Sequence, residues 1–186
     1  IPGNVGGSLR MNAGAMGVQT FDQVESVRFL DGEGKIQEKR AEEMETYYRN
    51  VPELQEHYAV SAVFRGEPAP VEVIEKGIKE SKTKRRESQP IAASAGCIFK
   101  NPEVCSAGML VDELGLKDTS VGAARVSEVH GNFIVNDGNA SAEEVLELID
   151  RIKAIARKER GVDLETEVQI IGEDDPYEPG RYYVKS

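Results

Sequence analysis

Residues 94–102, with the sequence SAGCIFKNP, contain the side chains best suited to chemistry in this chain. Cys97 carries a thiol, which can donate a proton or act as a nucleophile. Lys100 adds a cation and Asn101 an amide, and both groups can bind a polar or anionic ligand. These residue types alone leave the reaction open between proton transfer and nucleophilic catalysis.

The composition indicates a globular chain with no general affinity for nucleic acid. It has 186 residues, of which 39% are hydrophobic and 30% charged, and its formal net charge is -10. This charge disfavours nucleic-acid binding, and no apolar run approaches the roughly 20 residues that span a bilayer. Cys97 and Cys105 fit neither a disulfide framework nor a standard zinc spacing, so we expect a cytoplasmic protein without a bound metal.

A basic run in residues 82–86 (KTKRR) stands out in this acidic chain. One interpretation is a solvated helix end, because cations are favoured near a helix C-terminus. The other is a local binding site for an anionic substrate, which the overall negative charge does not exclude.

Hydrophobic periodicity predicts an α+β fold with two lobes. For the first lobe it predicts a helix starting near Val5 after a glycine-rich opening, a hairpin of strands 24–30 and 35–39, a helical turn at 41–46, a strand at 58–64 and a helix at 71–84. For the second it predicts strands at 97–99, 132–136 and 165–171 and helices at 107–114 and 141–160. Ser141 and Glu144 form a capping box for the last helix, and Gly161 follows its end. We place the domains at residues 1–84 and 85–172, with a tail or linker at 173–186.

Eight segments of the sequence resemble the UDP-N-acetylenolpyruvoylglucosamine reductase family, and they occur in that family's order. They are IPGNVGG (1–7), NAGAMG (12–17), YYR (47–49), QP (89–90), SAGCIFKNP (94–102), AGMLVDELGL (107–116), VSEVHGNFIVN (126–136) and ETEVQIIG (165–172). The resemblance implies the C-terminal part of an FAD-binding lobe followed by a smaller α/β substrate-binding lobe. It also implies the NADPH-dependent, FAD-mediated reduction of UDP-N-acetylglucosamine enolpyruvate to UDP-N-acetylmuramate in peptidoglycan synthesis.

The same resemblance implies three catalytic residues. Arg49 and Glu167 stand where the family stabilises the negative charge that builds up on the substrate carboxylate. Arginine suits this task because its planar fork pairs with a carboxylate. The glutamate would have to be protonated or hold a donor in place. Cys97 stands where the family usually has a serine proton donor, and a free thiol, with a pKa of about 8.5, is mostly protonated at neutral pH.

Further positions match the family's binding residues. Arg85, Lys100 and Asn101 are expected to bind the sugar nucleotide, with Arg85 near its diphosphate. The expected flavin contacts are Ile1, Pro2, Gly3, Asn4, Val5 and Gly6. Asn4 replaces the hydroxyl residue that is more usual in the family, yet an amide keeps a donor and an acceptor. The chain between Arg49 and Arg85 is too short for the tyrosine loop that some members carry, so it resembles the subclass without that insertion.

Two alternatives accompany this interpretation. The chain could bind a sugar nucleotide without catalysis, or Cys97 with His130 could form a cysteine hydrolase, although the hydrolase leaves Arg49, Glu167 and the glycine-rich opening without a role. The chain starts at Ile1, whereas the family carries an N-terminal lobe with a second glycine-rich flavin loop before this point. We therefore expect that lobe as a partner, and expect the chain alone to bind FAD weakly or not at all and to be inactive.

Overall fold

The chain forms two compact units, which divide between Ala69 and Pro70. The structure, a computed structural model, describes residues 3–170. The predicted domain boundary at residue 85 falls inside the helix Val71–Ser88, which begins just after this division and belongs to the second unit. The assignment of domains to residues 1–84, 85–172 and 173–186 stays a prediction.

The first unit is built on a three-stranded antiparallel sheet. Its elements are α1 (Val5–Arg10), β1 (Gly14–Ala15), β2 (Val18–Gln19), β3 (Val24–Leu30), β4 (Ile36–Arg40), α2 (Pro52–Glu56) and β5 (Tyr58–Phe64), with single 3-10 turns at Thr20–Asp22 and Ala41–Glu43. The strand order is β4-β3-β5, and β1 and β2 form a separate hairpin. Val27, Phe29, Val51 and Leu54 are buried in its core together with Leu9 of α1.

The second unit combines a four-stranded sheet with three helices. Its elements are α3 (Val71–Ser88), β6 (Ser94–Cys97), α4 (Ala107–Glu113), β7 (Ser120–Val121), β8 (Ala124–Val126), β9 (Phe133–Asn136) and α5 (Ala142–Arg160). The strand order is β6-β9-β8-β7, and every neighbouring pair is antiparallel. None of the helices within residues 3–170 is long and apolar enough to cross a membrane.

Helix α5 confirms the clearest prediction from the sequence. The Ser141 side chain accepts the Glu144 backbone N–H, and the Glu144 carboxylate accepts the Ser141 backbone N–H. Gly161 ends the helix in a left-handed conformation with φ of 66°, which glycine adopts without a steric penalty. The helix buries an apolar face in the core through Leu148, Ile149, Ile152 and Ala156.

The predicted strand at 165–171 is wrong for the residues that the structure describes, while Ile171 lies outside them. Thr166 makes one isolated bridge to Phe99 instead of a strand. The reason is the short partner: the backbone of segment 165–168 bonds to Ile98 and Lys100, which lie beyond the end of β6. The predicted strand 97–99 is also shifted, since β6 ends at Cys97.

Helix α4 meets the turn before β9 through two glycines. A Cβ on Gly131 would lie 2.6 Å from the Gly108 carbonyl oxygen, and a Cβ on Gly108 would lie 2.6 Å from His130 Cε1. Such contacts are too short for a side chain, so glycine at both positions permits the close approach of these segments. This packing fixes the turn at residues 130–132, which lies next to Cys97 in the sheet.

Candidate active site

The strand that carries Cys97 is irregular where it presents the thiol. The register between β6 and β9 shifts between Ser94 and Cys97, and Gly96 has φ of 88°. A shift of this kind is a β-bulge, which bends a strand and re-aims its side chains. Cys97 pairs with Phe133 directly after the bulge and is half-buried. A half-buried thiol is protected from bulk water yet close enough to the surface to meet a ligand.

Glu167 lies on the segment that runs beside the Cys97 strand. Its backbone N–H donates to the Ile98 carbonyl at 2.7 Å, and the Lys100 N–H donates to the Glu165 carbonyl at 2.9 Å. Cys97 and Glu167, which are 70 positions apart in the sequence, are therefore on adjacent backbone segments. Glu167 is half-buried, and the second unit places the backbone segments of two of the three predicted catalytic residues side by side.

Lys100 and Asn101 follow on the same segment. The Lys100 ammonium forms an ion pair with the Glu165 carboxylate, whose side chain is 71% exposed. The Lys100 side chain is only 27% exposed, so the pair is open mainly on the Glu165 side, from which an anionic ligand can compete for Lys100. The Asn101 side-chain oxygen accepts the Ala107 N–H at the start of α4. Asn101 thus fixes the loop between β6 and α4, a role that the sequence did not indicate.

Arg49 lies in the first unit in a conformation that is rare for its residue type. Its φ is 58°, and Tyr47 and Asn50 form a bridge around it. Its Nη2 donates to the Gly14 carbonyl at 3.2 Å, and its guanidinium lies 4.8 Å from the centre of the Tyr48 ring. A left-handed arginine costs energy and is found where the surroundings impose it, often at functional sites. Asn12, Met16 and Asp118 share this left-handed conformation, and the catalytic role of Arg49 stays a prediction.

Asn12 organises the surroundings of Arg49. It is 3% exposed, and its Nδ2 donates to the Gln19 side chain and to the Tyr47 carbonyl. Its Oδ1 accepts the Phe21 N–H. These bonds join the β1–β2 hairpin to the turn that carries Arg49. The sequence analysis did not assign a role to Asn12, although it begins the NAGAMG segment.

The expected flavin segment is exposed at the start of the first unit. Gly3, Asn4, Val5 and Gly6 are exposed, and Gly3 has φ of 105°. A Cβ on Gly6 would meet open space within the described part of the chain, so the backbone there is accessible to a flat ligand. These residues fit a flavin contact. Ile1 and Pro2, which belong to the same prediction, lie outside the described residues.

Arg85 occupies the last turn of α3, beside Arg86. All residues of this helix are exposed. The basic run therefore is a solvated helix end, where cations are stabilised by the helix dipole. An exposed arginine also remains able to bind a diphosphate, so the predicted substrate contact stays a prediction.

His130 has a structural role in the turn before β9. Its Nδ1 accepts the Asn132 backbone N–H at 3.1 Å, so in the neutral ring the proton is on Nε2. The ring packs edge-on against Phe133 at 5.0 Å. Burial lowers the pKa of His130, and the positive charge of Lys117 lowers it further. His130 is therefore held in its neutral form.

Comparison with known proteins identifies the class. A family model described as the UDP-N-acetylenolpyruvoylglucosamine reductase C-terminal domain matches residues 88–171. The UDP-N-acetylenolpyruvoylglucosamine reductase of Syntrophomonas wolfei is 40% identical over 94% of this chain and 59% of its own length. That of Bacillus subtilis is 40% identical over 92% of this chain and 58% of its own length. Most of the second unit thus matches the C-terminal domain of UDP-N-acetylenolpyruvoylglucosamine reductases.

A solved structure supports the same assignment for the fold. The crystal structure of UDP-N-acetylenolpyruvylglucosamine reductase from Thermus caldophilus is 38% identical and superposes with a TM-score of 0.80. The match covers 90% of this chain and 60% of that one. The chain belongs to the UDP-N-acetylenolpyruvoylglucosamine reductase family, and it spans less than two thirds of the length of these relatives.

The lowered pKa of His130 predicts how stability depends on pH. The unfolded chain has the ordinary histidine pKa of about 6.5, so it binds a proton more readily than the folded chain. The contribution of His130 to the free energy of unfolding is complete above this pH and is lost as pH falls below it. In urea unfolding, a His130→Gln variant should lose less of its free energy of unfolding than the unsubstituted protein as the pH falls from 7.5 to 5.5. If the free energy of unfolding depended on pH equally in both proteins, the prediction would be contradicted.

Proposed function

We propose that the enzyme containing this chain reduces UDP-N-acetylglucosamine enolpyruvate to UDP-N-acetylmuramate, with FAD and NADPH as cofactors. The observation that carries the proposal is the 2.7 Å hydrogen bond from Glu167 N–H to the Ile98 carbonyl, which brings the Glu167 and Cys97 segments together. Because the chain belongs to the reductase family, we interpret the two adjacent segments as parts of one catalytic site. An N-terminal lobe that completes the flavin site is part of the same proposal.

FAD would be held through the exposed backbone of Gly3, Asn4, Val5 and Gly6, with Ile1 and Pro2 next to them. When bound, FAD supplies the hydride-transfer chemistry for the enolpyruvyl double bond, with NADPH as the source of electrons. The glycines permit this because a backbone without side chains allows a flat ring system to approach closely. Asn4 adds an amide that can donate to or accept from the flavin.

Arg49 would stabilise the charge that develops on the substrate carboxylate. Its bond to the Gly14 carbonyl and its contact with the Tyr48 ring hold the guanidinium before a ligand arrives. Such preorganisation matters because a group that needs no rearrangement stabilises charge at the moment of reaction. Glu167 would assist, either as a protonated donor or by holding a donor in place.

Cys97 would protonate the substrate carbon after reduction. In this step the S–H bond of Cys97 breaks and a C–H bond forms, which leaves a thiolate that solvent reprotonates. Lys100, Asn101 and Arg85 would bind the anionic sugar nucleotide, with Lys100 exchanging its partner Glu165 for the ligand. The hydrolase alternative has no comparable support, since His130 Nδ1 is engaged by the Asn132 N–H.

Separate measurement of the two half-reactions tests this function in the complete enzyme. NADPH should reduce the flavin, and the enolpyruvyl sugar nucleotide should reoxidise it. A Cys97→Ala variant should keep the first rate and lose about 100-fold or more in the second, which is the usual range for a general acid. Cys97→Ser should retain much of the second rate, because serine is the family's usual residue here.

Cys105→Ala is the matched control, since Cys105 is also a half-buried free cysteine. It should leave both rates unchanged. Reoxidation that is independent of the enolpyruvyl substrate in the unsubstituted enzyme would contradict the function itself. Equal losses in both half-reactions of Cys97→Ala would contradict only the proton-donor role.

A further inference from the structure

We propose that Asn132 is a positioning residue for the proton donor, and that its side chain sets where Cys97 stands in the site. The inference rests on the proposed function of Cys97. It adds a residue that itself need not touch the substrate, because Asn132 acts on the backbone of the Cys97 segment.

Asn132 makes two reciprocal hydrogen bonds to one residue of that segment. Its Oδ1 accepts the Phe99 N–H at 2.9 Å, and its Nδ2 donates to the Phe99 carbonyl at 2.8 Å. Both bonds are buried, and Asn132 is 3% exposed. The orientation of the amide is unambiguous, since Phe99 offers a donor to one side-chain atom and an acceptor to the other. The side chain thus takes the place that a neighbouring strand would have.

The backbone of Asn132 also bonds to Ile98, the residue directly after Cys97. Its carbonyl accepts the Ile98 N–H at 2.9 Å, while the Ile98 carbonyl accepts the Glu167 N–H on the other side. The two residues that follow Cys97 are therefore held from both sides. Upstream of Cys97 the strand is bulged and contains Gly96 with positive φ. Asn132 therefore acts on the side of Cys97 where the backbone is extended without a bulge.

Asn132 is itself rigidly placed. Its N–H is bonded to His130 Nδ1, and the adjacent Gly131 packs against the carbonyl of Gly108. Because the backbone of Asn132 is fixed and its side chain is short, the side-chain amide cannot shift together with the Phe99 backbone. Asn132 can therefore transmit the fixed position of the turn to the segment that carries Cys97.

Single-turnover kinetics of Asn132→Ala in the complete enzyme test the proposal. Flavin reduction by NADPH should stay within about twofold of the unsubstituted enzyme. Reoxidation by the enolpyruvyl sugar nucleotide should slow by about 100-fold, the loss expected when a reacting group is displaced by about 1 Å. The solvent deuterium isotope effect on this reoxidation should rise, because protonation by Cys97 becomes the slow step. Asn139→Ala, at an exposed asparagine seven positions away, should change neither rate.

The shape of the kinetic trace separates positioning from a general structural role. A smaller amplitude with an unchanged rate constant would mean that only part of the protein is folded, and would overturn the proposal. Unchanged rates would overturn it as well, as would equal losses in both half-reactions. If the substrate fails to reoxidise the unsubstituted enzyme, the proposed function fails and the role of Asn132 fails with it.

Alkylation by iodoacetamide provides a readout that needs no turnover. In Asn132→Ala, and in the milder Asn132→Ser, the alkylation rate of Cys97 should change several-fold relative to the alkylation rate of Cys105 in the same protein. Asn139→Ala should leave this ratio unchanged. Equal acceleration at both cysteines would indicate loss of the fold and would overturn the positioning role.

Discussion

The second unit depends on satisfying the buried backbone of Phe99. Phe99 is 1% exposed and lies just past the end of β6, where the regular ladder of the sheet has stopped. A buried N–H or C=O without a partner costs about 1–3 kcal/mol, so this position needs another source of hydrogen bonds. The Asn132 side chain supplies both, and the 165–168 segment can then pair with the opposite side.

Each unit contains a buried asparagine that hydrogen-bonds to backbone groups of another segment. Asn12 and Asn132 are each 3% exposed, and each uses its amide oxygen and nitrogen on backbone groups of another segment. Asn12 stabilises the turn that carries Arg49, and Asn132 stabilises the segment that carries Cys97. A buried amide whose oxygen and nitrogen are both hydrogen-bonded has one favourable orientation, so it specifies geometry more strongly than an apolar contact of the same size.

The sequence predicted the parts whose signals are local. The α5 helix carries its own cap and apolar stripe, and strand β3 carries its alternation, so both were predicted with nearly correct bounds. The short strands β7 and β8 were missed because two or three residues are too few for periodicity. The 165–171 strand was wrong because its partner segment is short. Asn12 and Asn132 were missed because each makes a bond to a residue far away in the sequence, Tyr47 at 35 and Phe99 at 33 positions, which no local pattern reveals.

Amide hydrogen exchange at Phe99 is the most direct test of whether Asn132 holds the Cys97 segment. In the unsubstituted protein this amide is buried and bonded to Oδ1 of Asn132, so it should exchange as slowly as the core amides of β9. In Asn132→Ser its exchange should accelerate by orders of magnitude while the β9 amides stay protected. Rapid exchange at Phe99 in the unsubstituted protein, or unchanged protection in the variant, would contradict the claim.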